Sequence, residues 1–114
     1  MKHNIPLQAL PREASEFIPA RRAVTLAAQA GGVRLAQAGE WVLGISGPGD
    51  MKIGETVDVF TAGCVPCEFQ SAASLGDFIG VTAGGMVGAV AQADAFGVLA
   101  ADVDADAVEG VYLK

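Results

Sequence analysis

Glu55-Thr56-Val57-Asp58-Val59 is the stretch on which the reading of the fold turns. Charged and hydroxylated side chains alternate there with valines. Successive strand side chains point to opposite faces, so Val57 and Val59 fall on a buried face and Asp58 outside it. The text on either side has the same grammar. Short apolar runs at 23–28, 40–45, 55–61, 65–69, 78–82, 86–91, 95–99 and 108–113 are separated by turn residues. These are Gly31-Gly32, Ser46-Gly47-Pro48-Gly49-Asp50, Ala62-Gly63, Gly76-Asp77, Gly84-Gly85 and Asp104-Ala105-Asp106, which supply positive φ or local side-chain hydrogen bonds. Strands recurring every ~8–12 residues predict an all-β domain, a small β-barrel or β-sandwich. The alanine-rich stretches 70–75 and 100–107 leave room for short helical turns at most.

Ahead of this body, residues 1–22 hold Pro6, Pro11 and Pro19, three of the five prolines, and show no sustained period. Proline fixes its own backbone and biases the preceding residue toward extended conformations, so the segment reads as an extended N-terminal arm, with residues 23–114 as a single β domain. The arm carries too much apolar surface, in Ile5, Leu7, Leu10, Phe17 and Ile18, for a purely solvating tail, and is expected to dock. Its charge differs from that of the body. Through Arg34 the basic residues outnumber the acids by three, and from Leu35 onward the acids outnumber the basic residues by nine. Such asymmetry suggests an interaction segment.

Composition excludes several classes of function. At 114 residues the chain is one domain, and although 52% of it is hydrophobic, 21 of those residues are alanine and a further 15 positions are glycine. The core is therefore thin, and oligomerisation or an assembly partner would add stability. No apolar run approaches the ~18 residues of a membrane span, and no charged start followed by an apolar stretch resembles a secretion signal. A net charge of −6 offers no basic face for phosphates, so nucleic-acid binding is not expected.

The residues that could carry chemistry are few. Cys64-Val65-Pro66-Cys67 follows the apolar strand Val57-Asp58-Val59-Phe60, as the dithiol does in thioredoxin-like oxidoreductases. That fold needs helices alternating with strands and a later proline facing the dithiol, and no proline follows Pro66. Glu68, the nearest charge, opposes thiolate formation. Zinc held by the same pair lacks further ligands, since the one histidine is His3 in the arm. Asp102-Val103-Asp104-Ala105-Asp106 starts like a calcium loop but has Ala107 where the turn needs glycine and Leu113 where a bidentate glutamate belongs. Ser46-Gly47-Pro48-Gly49-Asp50 lacks the lysine and helix of a phosphate-binding loop. Trp41 and Tyr112 read as core or interface anchors. No catalytic residue, cofactor, metal or small-molecule substrate is expected, and thiol-disulfide exchange stands as the enzymatic alternative.

A faint internal echo is also present. Leu43-Gly44-Ile45 through Val57-Asp58-Val59-Phe60 parallels Phe96-Gly97-Val98 through Gly110-Val111-Tyr112-Leu113, each reading apolar-Gly-apolar, an acidic loop and then a strand. A duplicated strand-loop-strand unit suits a small closed barrel.

The runs Leu75-Gly76-Asp77-Phe78-Ile79-Gly80-Val81-Thr82, Gly84-Gly85-Met86-Val87, Ala95-Phe96-Gly97-Val98-Leu99 and Val108-Glu109-Gly110-Val111-Tyr112-Leu113 resemble the capsid decoration (cement, or head-fibre) proteins of tailed bacteriophages. The element Gly54-Glu55-Thr56-Val57-Asp58-Val59 fits the same pattern, and the resemblance covers about residues 24–113. It implies a small all-β domain, often a homotrimer, made in the host cytoplasm and bound to the outer capsid surface of the virion, where it ties major capsid protein subunits together without catalysis. Cys64, Cys67 and the arm depart from that pattern. In this reading the arm contacts capsid protein through Ile5, Leu7, Leu10, Arg12, Arg21 and Arg22. Another virion subunit, of tail or fibre, is the structural alternative.

Overall fold

The computed structural model describes residues 8–27, 32–104 and 107–113. Ten strands run in order: β1 (Gln8–Ala14), β2 (Ala23–Leu26), β3 (Gly32–Leu35), β4 (Gly44–Ser46), β5 (Thr56–Ala62), β6 (Cys64–Glu68), β7 (Phe78–Ala83), β8 (Met86–Ala89), β9 (Gly97–Leu99) and β10 (Val108–Leu113). The first five close into a barrel of order β1-β3-β2-β4-β5, and the last five form a sheet of order β6-β10-β9-β7-β8. The fold is all-β, as the alternation and turn spacing predict. Within the alanine-rich stretches, Ala73 and Val103 bridge each other instead of entering helical turns, and one 3-10 turn at Gln92–Asp94 is the helical element among the described residues.

Two strands escaped the sequence reading. Gly32, read as a turn residue, opens β3. Part of the segment read as an arm, residues 8–14, is β1. That strand is extended and pairs with others of the same chain. β1 pairs with β5 from Gln8 to Glu13 but with β3 only at Glu13 and Ala14. Pro11 thus lies where one neighbour alone needs hydrogen bonds, the strand position that tolerates a missing N–H.

The echo proves to be part of a complete duplication. Replacing each of β1 to β5 by the strand five places later turns the order of the first barrel into that of the second sheet. Registers agree pair by pair. Ala23 opposite Ile45 matches Phe78 opposite Val98, and Val24 opposite Gly44 matches Ile79 opposite Gly97. Leu26 opposite Val33 matches Val81 opposite Val87, and Ser46 opposite Val59 matches Leu99 opposite Val111. Even the parallel closure recurs, since Ala14 opposite Val33 in the barrel corresponds to an isolated parallel bridge from Phe69 to Val87. Loop contacts follow suit. Asp50 Oδ1 accepts from the Ala20 N–H at 2.8 Å, and Asp102 Oδ1 accepts from the Leu75 N–H at 2.8 Å.

Residues identical in the two halves mark positions that the geometry constrains. Gly44 and Gly97 both face a carbonyl of the neighbouring strand: a Cβ on Gly44 would fall on the Phe60 oxygen, and one on Gly97 would lie 2.6 Å from the Tyr112 oxygen. Pro11 pairs with Pro66, Glu13 with Glu68, Val33 with Val87 and Val59 with Val111 in the equivalence.

The two halves are packed differently. Val24, Val33, Val57 and Val59 fill the first barrel with Ala14 and Ile18. The alternate side chains of β2, β4 and β5, Ala23, Ile45 and Phe60, point the other way, into a second core around Phe69, Ile79, Val87, Leu99 and Val111. β2 and β4 are buried on both faces, which is why their burial is nearly continuous instead of alternating. Each fully buried valine, isoleucine or phenylalanine contributes roughly 1.5–3 kcal/mol, so the outer face of the first barrel is a substantial part of the second core.

Candidate functional site

Charge is the natural place to begin, because the basic residues of the N-terminal segment were the expected contacts. Arg22 is committed internally. Its Nη1 donates to the Gly84 carbonyl at 3.0 Å and its Nη2 pairs with Glu68 Oε2 at 3.1 Å, while its Nε is buried without a hydrogen-bond partner among the described residues. This guanidinium clamps the first half to the β7–β8 turn and to the end of β6. Arg21 sits at the same joint through its backbone: its N–H donates to the Gly47 carbonyl and its carbonyl accepts from the Glu68 N–H at 2.9 Å. It also adopts φ 60°, the left-handed region, where its counterpart in the second half is Gly76 at φ 86°.

Arg12 lies half-buried on β1 with its guanidinium donating to the Pro11 carbonyl. Leu10 pairs with Val59 in the barrel. Ile5 and Leu7 lie outside the described residues. Four of the six expected contact residues are described. Arg21 and Arg22 stand at the joint between the halves, and Leu10 and Arg12 stand in β1.

The two cysteines occupy a strand, and this decides their chemistry. Three residues apart on β6, they project from opposite faces: Val65 and Cys67 point into the core, while Cys64, Pro66 and Glu68 point away. A disulfide or dithiol cycle between them would require β6 to come apart. Burial raises the Cys67 thiol far above its usual value, with Cys64 adding to the effect, and burial followed by the Glu109 charge raises Cys64 as well. Both shifts favour the protonated thiol at neutral pH.

The acidic tip is equally local in its role. Asp102 caps the Leu75 N–H and Asp104 is exposed, whereas Asp106 lies outside the described residues. Asp50, in the glycine-rich turn, caps Ala20 in the same way.

Between equivalent loops of the two halves lies an open cleft of about 400 Å³, lined by Gly39, Glu40, Trp41 and Val42 from one and by 93–96 from the other. Of its two acids, Glu40 and Asp94, the first is engaged by a neighbour. Arg34 grips Glu40 with two hydrogen bonds, 2.9 and 2.7 Å, and together with the Gln37 N–H holds the carboxyl down at about 2. Trp41 is 63% exposed at the rim, so it is not a core residue. Tyr112 is likewise exposed, with Leu26, Val108 and Phe78 among the other large apolar residues at the surface. Leu26 and Phe78 carried no signal beyond strand membership in the sequence; only their equivalence to buried partners marks them.

No protein-family model matches the chain, and neither does any curated protein sequence. Among solved structures it is similar to the head fiber gp8.5 N base of bacteriophage phi29, with a TM-score of 0.79 over 96% of this chain and 95% of that one, at 11% sequence identity. The fold is thus that of a phage head fiber base, matched from end to end, two halves included.

Proposed function

We propose that this chain is a non-enzymatic structural subunit of a bacteriophage virion, a capsid decoration protein that binds the outer surface of the head and stabilises the lattice of major capsid protein. The observation that carries this reading is the whole-chain likeness to a phage head fiber base, across both halves of the duplication. The chemistry of the chain is in keeping with it. Its thiols lie on opposite faces of a strand, Glu40 in its cleft is paired with Arg34, and the turn acids Asp50 and Asp102 are spent on capping. What remains is surface, and a small module placed many times on a repeating lattice gains avidity from modest contacts. A homotrimer suits a local three-fold position on such a lattice.

With Arg22 held by Glu68, the capsid contact falls to Ile5 and Leu7 ahead of β1, together with Arg12. The segment engages capsid protein in extended form, as a strand added to a sheet edge. The test is co-sedimentation of the purified chain with phage heads lacking it, using the full chain and one without residues 1–7. The deletion stops there because residues 8–14 are a barrel strand. Full-length chain co-sedimenting at saturable stoichiometry, with loss on deletion, is the expected result. Undiminished binding of the shortened chain removes the arm's role, and absence of binding by either removes the decoration role.

A further inference from the structure

The joint between the halves brings together two different surfaces, and the duplication supplies a second copy of each. From the first half comes the outer barrel face: Ala23, Ala36 and Ile45, all fully buried, with Phe60 beside them. From the second half come the β7–β8 turn and the adjoining end of its sheet. Gly85 accepts from the Ala23 N–H and donates to the Ala36 carbonyl, both at 2.8 Å, Arg22 reaches Gly84 and Glu68, and Val81 is buried in the shared core. A two-fold joint would bury the same surface of each half. This one is head to tail, the kind of contact that can repeat.

The registers identify the second copies. Ala23, Ile45 and Phe60 correspond to Phe78, Val98 and Tyr112. Ala36, whose N–H donates to the Ala23 carbonyl, corresponds to Val90, whose N–H donates to that of Phe78. Every one of these positions is apolar in both halves, yet in the second half they face outward: Tyr112 is 45% exposed, Phe78 36%, and Val90 and Val98 are half-buried. On the other side Leu26 corresponds to Val81. Val81 is 7% exposed beneath the first half, whereas Leu26 is 49% exposed.

We infer that copies of this chain join head to tail, the Val98–Tyr112 face of one closing over the Leu26 end of the next, so that the joint within the chain is repeated between chains. The occupant is a second copy because the surface it must match is already matched once, inside the molecule. The ion pair does not recur, since Asp77 and Glu13 stand where Arg22 and Glu68 do, and Asp77 turns back to accept from the Ser74 N–H. The joint between chains therefore rests on its apolar face and sets two carboxylates where the ion pair stands inside the molecule, so it does not weaken as salt screens charge. The number of chains, three, rests on the trimer proposed above; the joint does not.

Light scattering behind size exclusion tests this on the full chain and on Tyr112→Glu and Leu26→Glu, both surface changes, with circular dichroism verifying the fold. The wild type is expected at three chain masses in low and high salt, and each variant at one. A concentrated equimolar mixture of the two variants is expected at two chain masses, because each retains the surface the other has lost. A monomeric wild type overturns the inference, as does a trimer untouched by Leu26→Glu or a mixture that stays monomeric. A monomeric wild type that still co-sediments with heads leaves the decoration role standing, and an intact trimer that ignores heads does the reverse.

Discussion

Alanine placed in turn at two adjacent glycines isolates the joint between the halves. Gly84 and Gly85 form the β7–β8 turn, and both have positive φ, +55° and +79°. A left-handed L-residue costs roughly 1–2 kcal/mol, and the lower entropy of the unfolded chain returns ~0.4–1 kcal/mol. Gly84→Ala meets nothing within 4 Å and should cost about 1 kcal/mol. At Gly85 the added Cβ would lie 2.8 Å from the Ala23 carbonyl oxygen and from Arg22 Cβ, and 2.9 Å from Leu35 Cδ2. Backbone oxygen cannot step aside, so the turn must lift off the first barrel. That motion breaks the two 2.8 Å hydrogen bonds to Ala23 and Ala36, each fully buried. Stranding buried backbone groups costs about 1–3 kcal/mol each, so Gly85→Ala should exceed Gly84→Ala by roughly 2–6 kcal/mol. Urea unfolding at unchanged m-value measures the difference as a shift in midpoint. Two variants within about 1 kcal/mol of each other would refute the claim that the turn is locked into the first barrel.

The equivalence of the halves predicts that Gly44→Ala and Gly97→Ala are both severe, each costing about 3 kcal/mol or more because a Cβ meets strand backbone; denaturation showing either to be mild would break the correspondence. Arg21→Gly should raise stability by up to about 1 kcal/mol by relieving a left-handed arginine at a position where the second half uses Gly76, and a lower unfolding midpoint would contradict this. Cys67 carries a thiol pKa raised in the folded state above the ordinary 9.0, so its stabilising effect is complete below that pH and is lost as pH rises through the interval up to the folded value. Stability should therefore fall above about pH 9 by at most about 1.4 kcal/mol per pH unit. Cys67→Ala should reduce that slope, leaving the smaller share of the less buried Cys64, and an unchanged slope would show that another group is responsible. Native-state labelling should modify Cys64 before Cys67.

Much of the fold was legible because alternation and glycine-rich turns report directly on strands. Val57 and Val59 are buried with Asp58 outside, as the pattern around them requires. The missed strands have physical causes. Gly32 shares its neighbourhood with Gly31 and looks like punctuation, and Pro11 in β1 looks like an interruption until the one-sided pairing of that strand is known. The duplication was visible only as a fragment because the spacing between equivalents slips along the chain. It is 55 residues from Ala14 to Phe69, 54 from Val33 to Val87, 53 from Gly44 to Gly97 and 52 from Val59 to Val111. Each one-residue loss falls between strands, where it leaves pairing intact and erases the linear repeat. Arg22 shows the limit for the candidate site, since its sequence position says nothing of the Glu68 and Gly84 that consume its charge. Nor could composition separate Tyr112 from Phe60, equivalent aromatics of which the first half's is sequestered in the joint and the second half's is exposed.

That this chain is built to sit on a phage head is tested most directly by electron microscopy of virions with and without it. The account predicts density that fits this chain at regular positions on the outer capsid surface, absent when the chain is absent. Heads that look the same in both preparations, or density confined to the tail, would contradict it.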